Sequence, residues 1–172
     1  MCDSLIWDGT VNTTIRQLSN LDRAALAALL SRINSFDDED RVVAMELVDW
    51  SLENPEERDY LFFVAIAGEG ELIGYVCYGP TPLTEGTFDL YWIAVDPALA
   101  GQGVGSQLLR KVESTVEEEN GRLIVIETSS SQQYALTRQF YVKNGYLLAE
   151  TIKDFYRPGE DRVTFVKRLR EE

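Results

Sequence analysis

Hydrophobic positions along the chain follow two periods, one typical of helices and one typical of strands. Apolar residues at spacings of three and four predict helices from a cap at Ser19 or Asn20 to Ile33 and over residues 41–52, 104–119 and 133–143. Shorter runs rich in β-branched and aromatic residues predict strands over residues 14–18, 60–67, 71–78, 87–95, 122–128, 146–153 and 162–169.

The order of these elements predicts the topology. Residues 60–95 form successive short strands separated by glycine and proline turns, which is typical of an antiparallel meander. Residues 87–128 form a strand, a helix and a strand, a crossover that is typical of a parallel pair. We therefore predict a mixed α/β fold, α+β-like, with one largely antiparallel central sheet of about six to seven strands and about four flanking helices. No repeat or linker interrupts the pattern, so residues 1–172 are predicted to form a single domain.

Composition narrows the chemistry. The 172 residues include no histidine, which excludes a Ser-His-Asp triad, a Cys-His pair and any His-ligated zinc site. We expect no metal. The 16 Lys and Arg residues against 29 Asp and Glu residues leave a formal net charge of -13. Such a surface repels phosphate backbones, so we expect no nucleic-acid partner, and it favours a cationic substrate.

Neither export nor membrane insertion is predicted. The longest apolar run, Leu61–Ala67, is far shorter than the roughly 20 residues that span a bilayer. The first residues include Asp3 and Asp8 where a signal peptide would be basic and then apolar. Cys2 and Cys77 lie far apart in the sequence, and we expect Cys77 to pack in the core. These features favour a cytoplasmic protein without a structural disulfide.

A glycine-rich loop joins the strand at 87–95 to the helix at 104–119. It reads Gly101-Gln102-Gly103-Val104-Gly105-Ser106. Amide groups at a helix start have no intrahelical acceptor and lie at the positive end of the helix dipole, so they can bind phosphate without a basic side chain. The loop lacks the Gly-Lys-Ser/Thr of a Walker A loop and the Gly-x-Gly-x-x-Gly of a dinucleotide-binding strand and helix. A nucleotide-binding protein of another kind is therefore disfavoured, although tight helix packing without a ligand stays open.

Three segments together resemble the Gcn5-related N-acetyltransferase (GNAT) superfamily. They are Trp92-Ile93-Ala94-Val95-Asp96-Pro97, the glycine loop, and Phe140-Tyr141-Val142-Lys143-Asn144-Gly145-Tyr146, in the order and spacing of the family's acetyl-CoA core. The resemblance implies a GNAT-type fold in which a bulge splays the parallel pair. It also implies acetyl-CoA as the cosubstrate, with its pyrophosphate held by the backbone amides of Gln102, Gly103, Val104, Gly105 and Ser106. Backbone groups at Ile93 and Val95 would meet the pantetheine arm and the thioester carbonyl.

The resemblance also proposes candidate catalytic residues. Asp89 stands where family members often carry a catalytic carboxylate, and Tyr141 where they carry the general acid that protonates the leaving thiolate. Period two predicts Asp89, Tyr91, Ile93 and Val95 on one face of the strand. Glu127, at the end of an apolar strand, is the alternative base. Tyr134 stands where the family often has asparagine.

The acceptor is predicted from charge. The family selects its acceptor with segments that here contain acidic residues 37–40, Glu85 and a loop over residues 154–161. Carboxylates and aromatic rings suit a cation, whereas Arg157 and Arg162 argue the other way. We therefore expect a small amine or an amino-acid-like molecule in preference to a protein lysine. The predicted activity is acetyl transfer to a primary amine by direct attack on the thioester, and the alternative is a CoA-binding sensor or regulatory module without turnover. A homodimer, common in the superfamily, is left open.

Overall fold

The computed structural model describes residues 13–68 and 70–170. Within them the chain forms seven strands and four α-helices. The helices are α1 (Arg23–Arg32), α2 (Asp38–Glu53), α3 (Val104–Glu118) and α4 (Ala135–Lys143). The strands are β1 (Thr13–Gln17), β2 (Leu61–Ala67), β3 (Glu71–Pro80), β4 (Thr87–Val95), β5 (Leu123–Ser129), β6 (Leu147–Arg157) and β7 (Glu160–Arg168).

All seven strands join one sheet, in the order β1-β2-β3-β4-β5-β7-β6. Every neighbouring pair is antiparallel except β4 and β5, which are parallel and connected through α3. The predicted fold class, a mixed α/β fold with one largely antiparallel sheet and a single parallel pair, is confirmed. Among the described residues, no helix combines the length and the apolar character needed to cross a bilayer.

The two faces of the sheet carry different helices. Helix α3 packs on one face through Leu108, Val112 and Val116, four residues apart and fully buried, and this forms the α3 core. Helices α1 and α2 pack on the other face and form the α1–α2 core. Cys77 is fully buried in this second core, as predicted, and burial raises the pKa of its thiol. Cys2 lies outside the described residues.

A bulge interrupts β4 at Tyr91. Cys77 pairs with Trp92 while the next residue of β3, Tyr78, pairs with Leu90, so Tyr91 is an extra residue. The extra residue shifts the alternation of side chains. Leu90 lies in the α3 core, which turns Asp89 to the α1–α2 side, whereas Ile93 and Val95 pack on the α3 side. The prediction that Asp89 shares a face with Ile93 and Val95 is therefore wrong, because period two fails at a bulge.

The segment predicted as a loop over residues 154–161 is a strand hairpin. Arg157 pairs with Glu160 across a two-residue turn, where Gly159 has a φ of 83°. Asp154, itself at a φ of 52°, accepts a hydrogen bond from the Gly159 amide (2.6 Å). These side-chain and turn interactions extend β6 and β7 past the point where hydrophobic alternation ends, which is why the pattern did not predict them.

Asp22 anchors the segment between β1 and α1. Both of its carboxylate oxygens accept hydrogen bonds from the Arg16 guanidinium (2.7 Å each), and Ser19 donates from its amide (2.8 Å). Asp22 is 6% exposed. The Arg16 hydrogen bonds lower its pKa to about 2. Since an unfolded aspartate titrates near pH 4, this carboxylate stabilises the fold above that pH and loses its contribution as the pH falls towards 2.

We expect Asp22→Asn to lower the free energy of unfolding by roughly 1 to 2 kcal/mol at pH 7, because Arg16 is half exposed and water screens part of the interaction. The difference from the wild type should vanish between about pH 4 and pH 2. Urea denaturation at several pH values measures both. Asp49→Asn, which breaks the more exposed pair of Asp49 with Arg23, is the control and should change stability less. A difference that persists at pH 2 would contradict this account.

Candidate active site

Strands β4 and β5 diverge halfway along their length and open a cleft. Their pairing runs from Thr87 and Leu123 to Leu90 and Ile126 and stops there. Beyond that point residues 91–95 of β4 and 127–129 of β5 line a cavity of about 670 Å³. The start of α2, helix α4 and the β6–β7 hairpin complete its wall. The splayed parallel pair that the family resemblance implied is confirmed, and the volume suits a small-molecule site.

Backbone amides of β4 point into this cleft. The Asp96 amide donates to the Ile73 carbonyl of β3 (2.8 Å). Successive amides of a strand point to opposite sides, so the Val95 and Ile93 amides point away from β3, towards the gap left by β5. Ile93 and Val95 both line the cavity. The two residues predicted to present backbone groups to a thioester therefore lie where β4 pairs with β3 but no longer with β5.

The glycine loop leads into the N-terminus of α3, which carries the positive end of the helix dipole. Gly103 is the N-cap residue at a φ of 83°, a conformation that favours glycine. The amides of Val104, Gly105 and Ser106 lie in the first turn, where none has an intrahelical acceptor. That turn contains no acidic side chain. The Gln102 amide donates to the Leu99 carbonyl (3.2 Å), and the predicted cradle of amides over residues 102–106 stays a prediction.

Close packing joins this helix end to the cavity. A Cβ added to Gly105 would lie 3.1 Å from Cζ of Phe140 and 3.7 Å from Cγ2 of Val95. The first turn of α3 therefore rests between α4 and the last residue of β4, and a larger residue at Gly105 would push them apart. Val95 touches both places, because it lines the cavity and faces the first turn. A ligand bound to the loop could reach the cleft along β4.

Tyr141 borders the cavity from α4. It is only 4% exposed, and its ring packs against Tyr146 and Phe165. Within the described residues its hydroxyl has no hydrogen-bond partner. Burial raises its pKa above the ordinary value of a phenol, so the hydroxyl keeps its proton at neutral pH. A protonated hydroxyl without a partner, on a buried side chain that lines a cleft, can donate a proton to a ligand there.

The two candidate bases lie in different places. Glu127 lines the cavity and forms an ion pair with Arg162 (3.2 Å). Asp89 does not line it; its carboxylate accepts a hydrogen bond from the Thr81 hydroxyl (2.8 Å) on the α1–α2 side of the sheet. The bulge at Tyr91 separates Asp89 from the residues that border the cleft. Sequence proximity to Ile93 therefore did not bring Asp89 to the cavity.

The start of α2 forms the opposite wall. Asp37, Glu39 and Asp40 line the cavity, whereas Glu85, which the sequence also suggested, does not. The Tyr134 hydroxyl donates to the Ser35 carbonyl (3.1 Å) and lies 3.4 Å from a carboxylate oxygen of Asp40. Burial, followed by the charge of Asp40, raises the pKa of Tyr134 to about 12. Tyr134 thus links the segment before α2 to the segment before α4 across the cleft.

Several lining residues were not predicted. Thr128 and Ser129 follow Glu127 on β5, and Thr137 lies on the first turn of α4. The Ser129 hydroxyl donates a short hydrogen bond to Glu160 of β7, which fixes one wall of the cleft. The one sequence signal for Thr128 and Ser129 was their position after the last apolar residue of β5. Ordinary hydroxyl residues at a strand end carry no chemical signature.

Comparisons with known proteins agree with this geometry. The model of the acetyltransferase (GNAT) family matches residues 24–146. The chain therefore belongs to the GNAT family of acetyltransferases. An uncharacterised N-acetyltransferase of Methanocaldococcus jannaschii is 29% identical over 108 residues, which are 62% of this chain and 65% of that protein. The chain thus aligns with less than two thirds of that relative's length.

Two solved structures illustrate the likeness. A protein of Desulfovibrio desulfuricans assigned to the GNAT acetyltransferases is 37% identical, and the match covers 92% of this chain and 99% of that one with a TM-score of 0.88. The PaiA N-acetyltransferase of Thermoplasma acidophilum, solved in complex with coenzyme A, is 18% identical, with a TM-score of 0.72 over 91% of this chain and 98% of that one. The second likeness shows the shared fold alone.

We expect Gly103→Glu to weaken acetyl-CoA binding at least tenfold, because a carboxylate at the α3 N-cap repels a pyrophosphate at the same amides. Calorimetric titration measures the affinity. Gly159→Glu is the matched control, since Gly159 has the same φ of 83° and open space around its Cβ position, but lies in the β6–β7 turn. Equal affinity in both folded variants would show that the loop does not hold the cosubstrate.

Proposed function

We propose that this protein is an acetyl-CoA-dependent N-acetyltransferase that acts on a small primary amine. The observation that carries the proposal is a cleft lined by the unpaired side of β4 and by Tyr141, with Val95 packed between that cleft and the first turn of α3. A pyrophosphate suits the helix start. A thioester carbonyl suits the amides of Ile93 and Val95, which would stabilise the negative charge on its oxygen during attack.

The reaction needs no covalent enzyme intermediate. The amine nitrogen attacks the thioester carbon, a C–N bond forms, and the C–S bond breaks to release CoA as a thiolate. Tyr141 borders the cavity with a protonated hydroxyl, which supports it as the donor to that thiolate. An ammonium substrate loses one proton to the base before attack and a second from nitrogen as the amide forms. The thiolate gains one proton from Tyr141, solvent reprotonates Tyr141, and one proton is released to solvent overall.

A base is required for the amine. A lysine-like ammonium with a pKa near 10.4 costs about 4 to 5 kcal/mol to deprotonate at pH 7. Glu127 lines the cavity, while Asp89 is turned to the other face and bonded to Thr81. We therefore propose Glu127, directly or through a water molecule, in preference to Asp89.

We expect Tyr141→Phe to lower kcat by about 10²- to 10⁴-fold, since it removes the proton donor to the leaving thiolate. Acetyl-CoA affinity should stay unchanged. Tyr146→Phe is the matched control, because Tyr146 is equally buried and touches Tyr141 but does not line the cavity. Amine-dependent release of CoA, measured with a thiol reagent, reports the rate. CoA binding without any amine-dependent release by the wild type would favour the sensor or regulatory module instead.

We expect Glu127→Gln to reduce kcat/KM for the amine on the order of 10²-fold near pH 7. The loss should shrink as the pH approaches the pKa of the amine, because the free amine then needs no base. Glu150→Gln is the control, since Glu150 is the second carboxylate beside Arg162 but lies outside the cavity lining. A collapse of activity in Asp89→Asn with normal activity in Glu127→Gln would reverse the assignment.

A further inference from the structure

The charged side chains that line the cavity are strongly unbalanced. Five are carboxylates, from Asp37, Glu39, Asp40, Glu127 and Glu160, and one is a guanidinium, from Arg157. Arg157 forms an ion pair with Glu160. The part of the chain that the structure describes therefore offers no unpaired cation at the cavity wall. An acceptor that carries a carboxylate would meet like charges there without a counterion.

Three of the carboxylates have no cationic partner. Asp37 accepts a hydrogen bond from the Asp40 amide (2.8 Å), and Asp40 accepts one from the Asp37 amide (3.0 Å). Both are held in place by these backbone groups. Glu39 forms neither an ion pair nor a hydrogen bond with any described residue. Its neighbour Asp38 pairs with Arg41 (2.8 Å) and does not line the cavity.

Aromatic rings and an unsatisfied hydroxyl accompany these charges. Tyr91, Trp92, Tyr134 and Tyr156 line the same cavity, and their faces can hold an ammonium or an alkyl chain. Tyr141, 4% exposed and without a hydrogen-bond partner among the described residues, borders it as well. The carboxylates of Glu39 and Asp40, here called the acidic wall, therefore belong to a formed cavity. The same cavity is lined by the buried side chain of Tyr141, whose hydroxyl can donate a hydrogen bond to a ligand.

Resting on the proposed function, we infer that the acceptor is a small dication: a primary amine that bears a second cationic group and no carboxylate. The reacting amine approaches Glu127 on β5, and the second cation is held by the Glu39 and Asp40 wall across the cavity. This choice separates two acceptors that the sequence left open together. It favours a diamine-like molecule over an amino-acid-like one.

Three primary amines with five carbons each test the inference in the intact protein. They are 1,5-diaminopentane, pentylamine and 5-aminopentanoate, which differ only in the charge of the far end. We expect kcat/KM for the diamine to exceed that for pentylamine at least tenfold, and 5-aminopentanoate to be the poorest. Raising the salt concentration should reduce the diamine's advantage, because screening weakens its attraction to the acidic wall.

Two variants that each remove one negative charge test whether the acidic wall causes the preference for the diamine. We expect Glu39→Gln to raise KM for the diamine about 3- to 10-fold and to change KM for pentylamine less, because pentylamine has no second cation. Asp38→Asn removes the same charge from the same helical turn but from a residue outside the cavity lining, so KM for the diamine should stay at the wild-type value. An equal effect of both variants would mean that net charge alone is responsible and would overturn the inference.

The outcomes separate this inference from the proposed function. Equal kcat/KM for the diamine and pentylamine, or a preference for 5-aminopentanoate, overturns the inference while the acetyltransferase activity stands. If no amine is turned over, titration of the CoA-saturated protein decides: tighter binding of the diamine than of pentylamine supports the inference, and equal binding overturns it. Failure to bind acetyl-CoA contradicts the proposed function itself.

Discussion

The cleft depends on one interruption of hydrogen bonding, the end of the β4–β5 ladder after Leu90 and Ile126. A continuous parallel pair would satisfy the outward amides of β4 and leave no space between the strands. The bulge at Tyr91 increases the local twist of β4 and turns it away from β5. Unpaired backbone groups in a cleft carry a free-energy cost unless a ligand or water satisfies them. The β4 amides beyond Leu90 are therefore available to donate hydrogen bonds to a substrate in the cleft.

Two helix N-termini border this region and have opposite electrostatics. The first turn of α3 contains no acidic residue, while that of α2 contains Asp38, Glu39 and Asp40. Both helices have the same backbone dipole, so their side chains make the difference: α2 neutralises its own positive end, and α3 leaves it exposed. A chain with a net charge of -13 can in this way attract an anion at one point with main-chain groups while its acidic side chains attract a cation nearby.

Helix α3 follows its sequence pattern along its whole length, whereas strand β4 departs from its pattern at one residue. The apolar positions of α3 recur every four residues and predicted both the helix and its buried face, because that helix packs on the sheet through one stripe. The alternation along β4 predicted the strand correctly but failed for Asp89, since one inserted residue at Tyr91 reverses the faces. Strands were predicted over residues 146–153 and 162–169, but the end of the β6–β7 hairpin, residues 154–161, was predicted as a loop because its exposed residues show no periodicity.

Local patterns were enough to identify the strands, the helices and the glycine loop, and the order and spacing of three short segments over residues 92–146 identified the family. Local patterns did not predict which residues line the cavity, because its walls come from segments far apart in the chain. Tyr134 meets Asp40 across 94 positions, and Arg162 meets Glu127 across a strand pairing. Which carboxylates have a cationic partner, and which face the cleft without one, follows from those long-range contacts. Sequence spacing carries no information about them, since packing of the sheet and helices sets the distances.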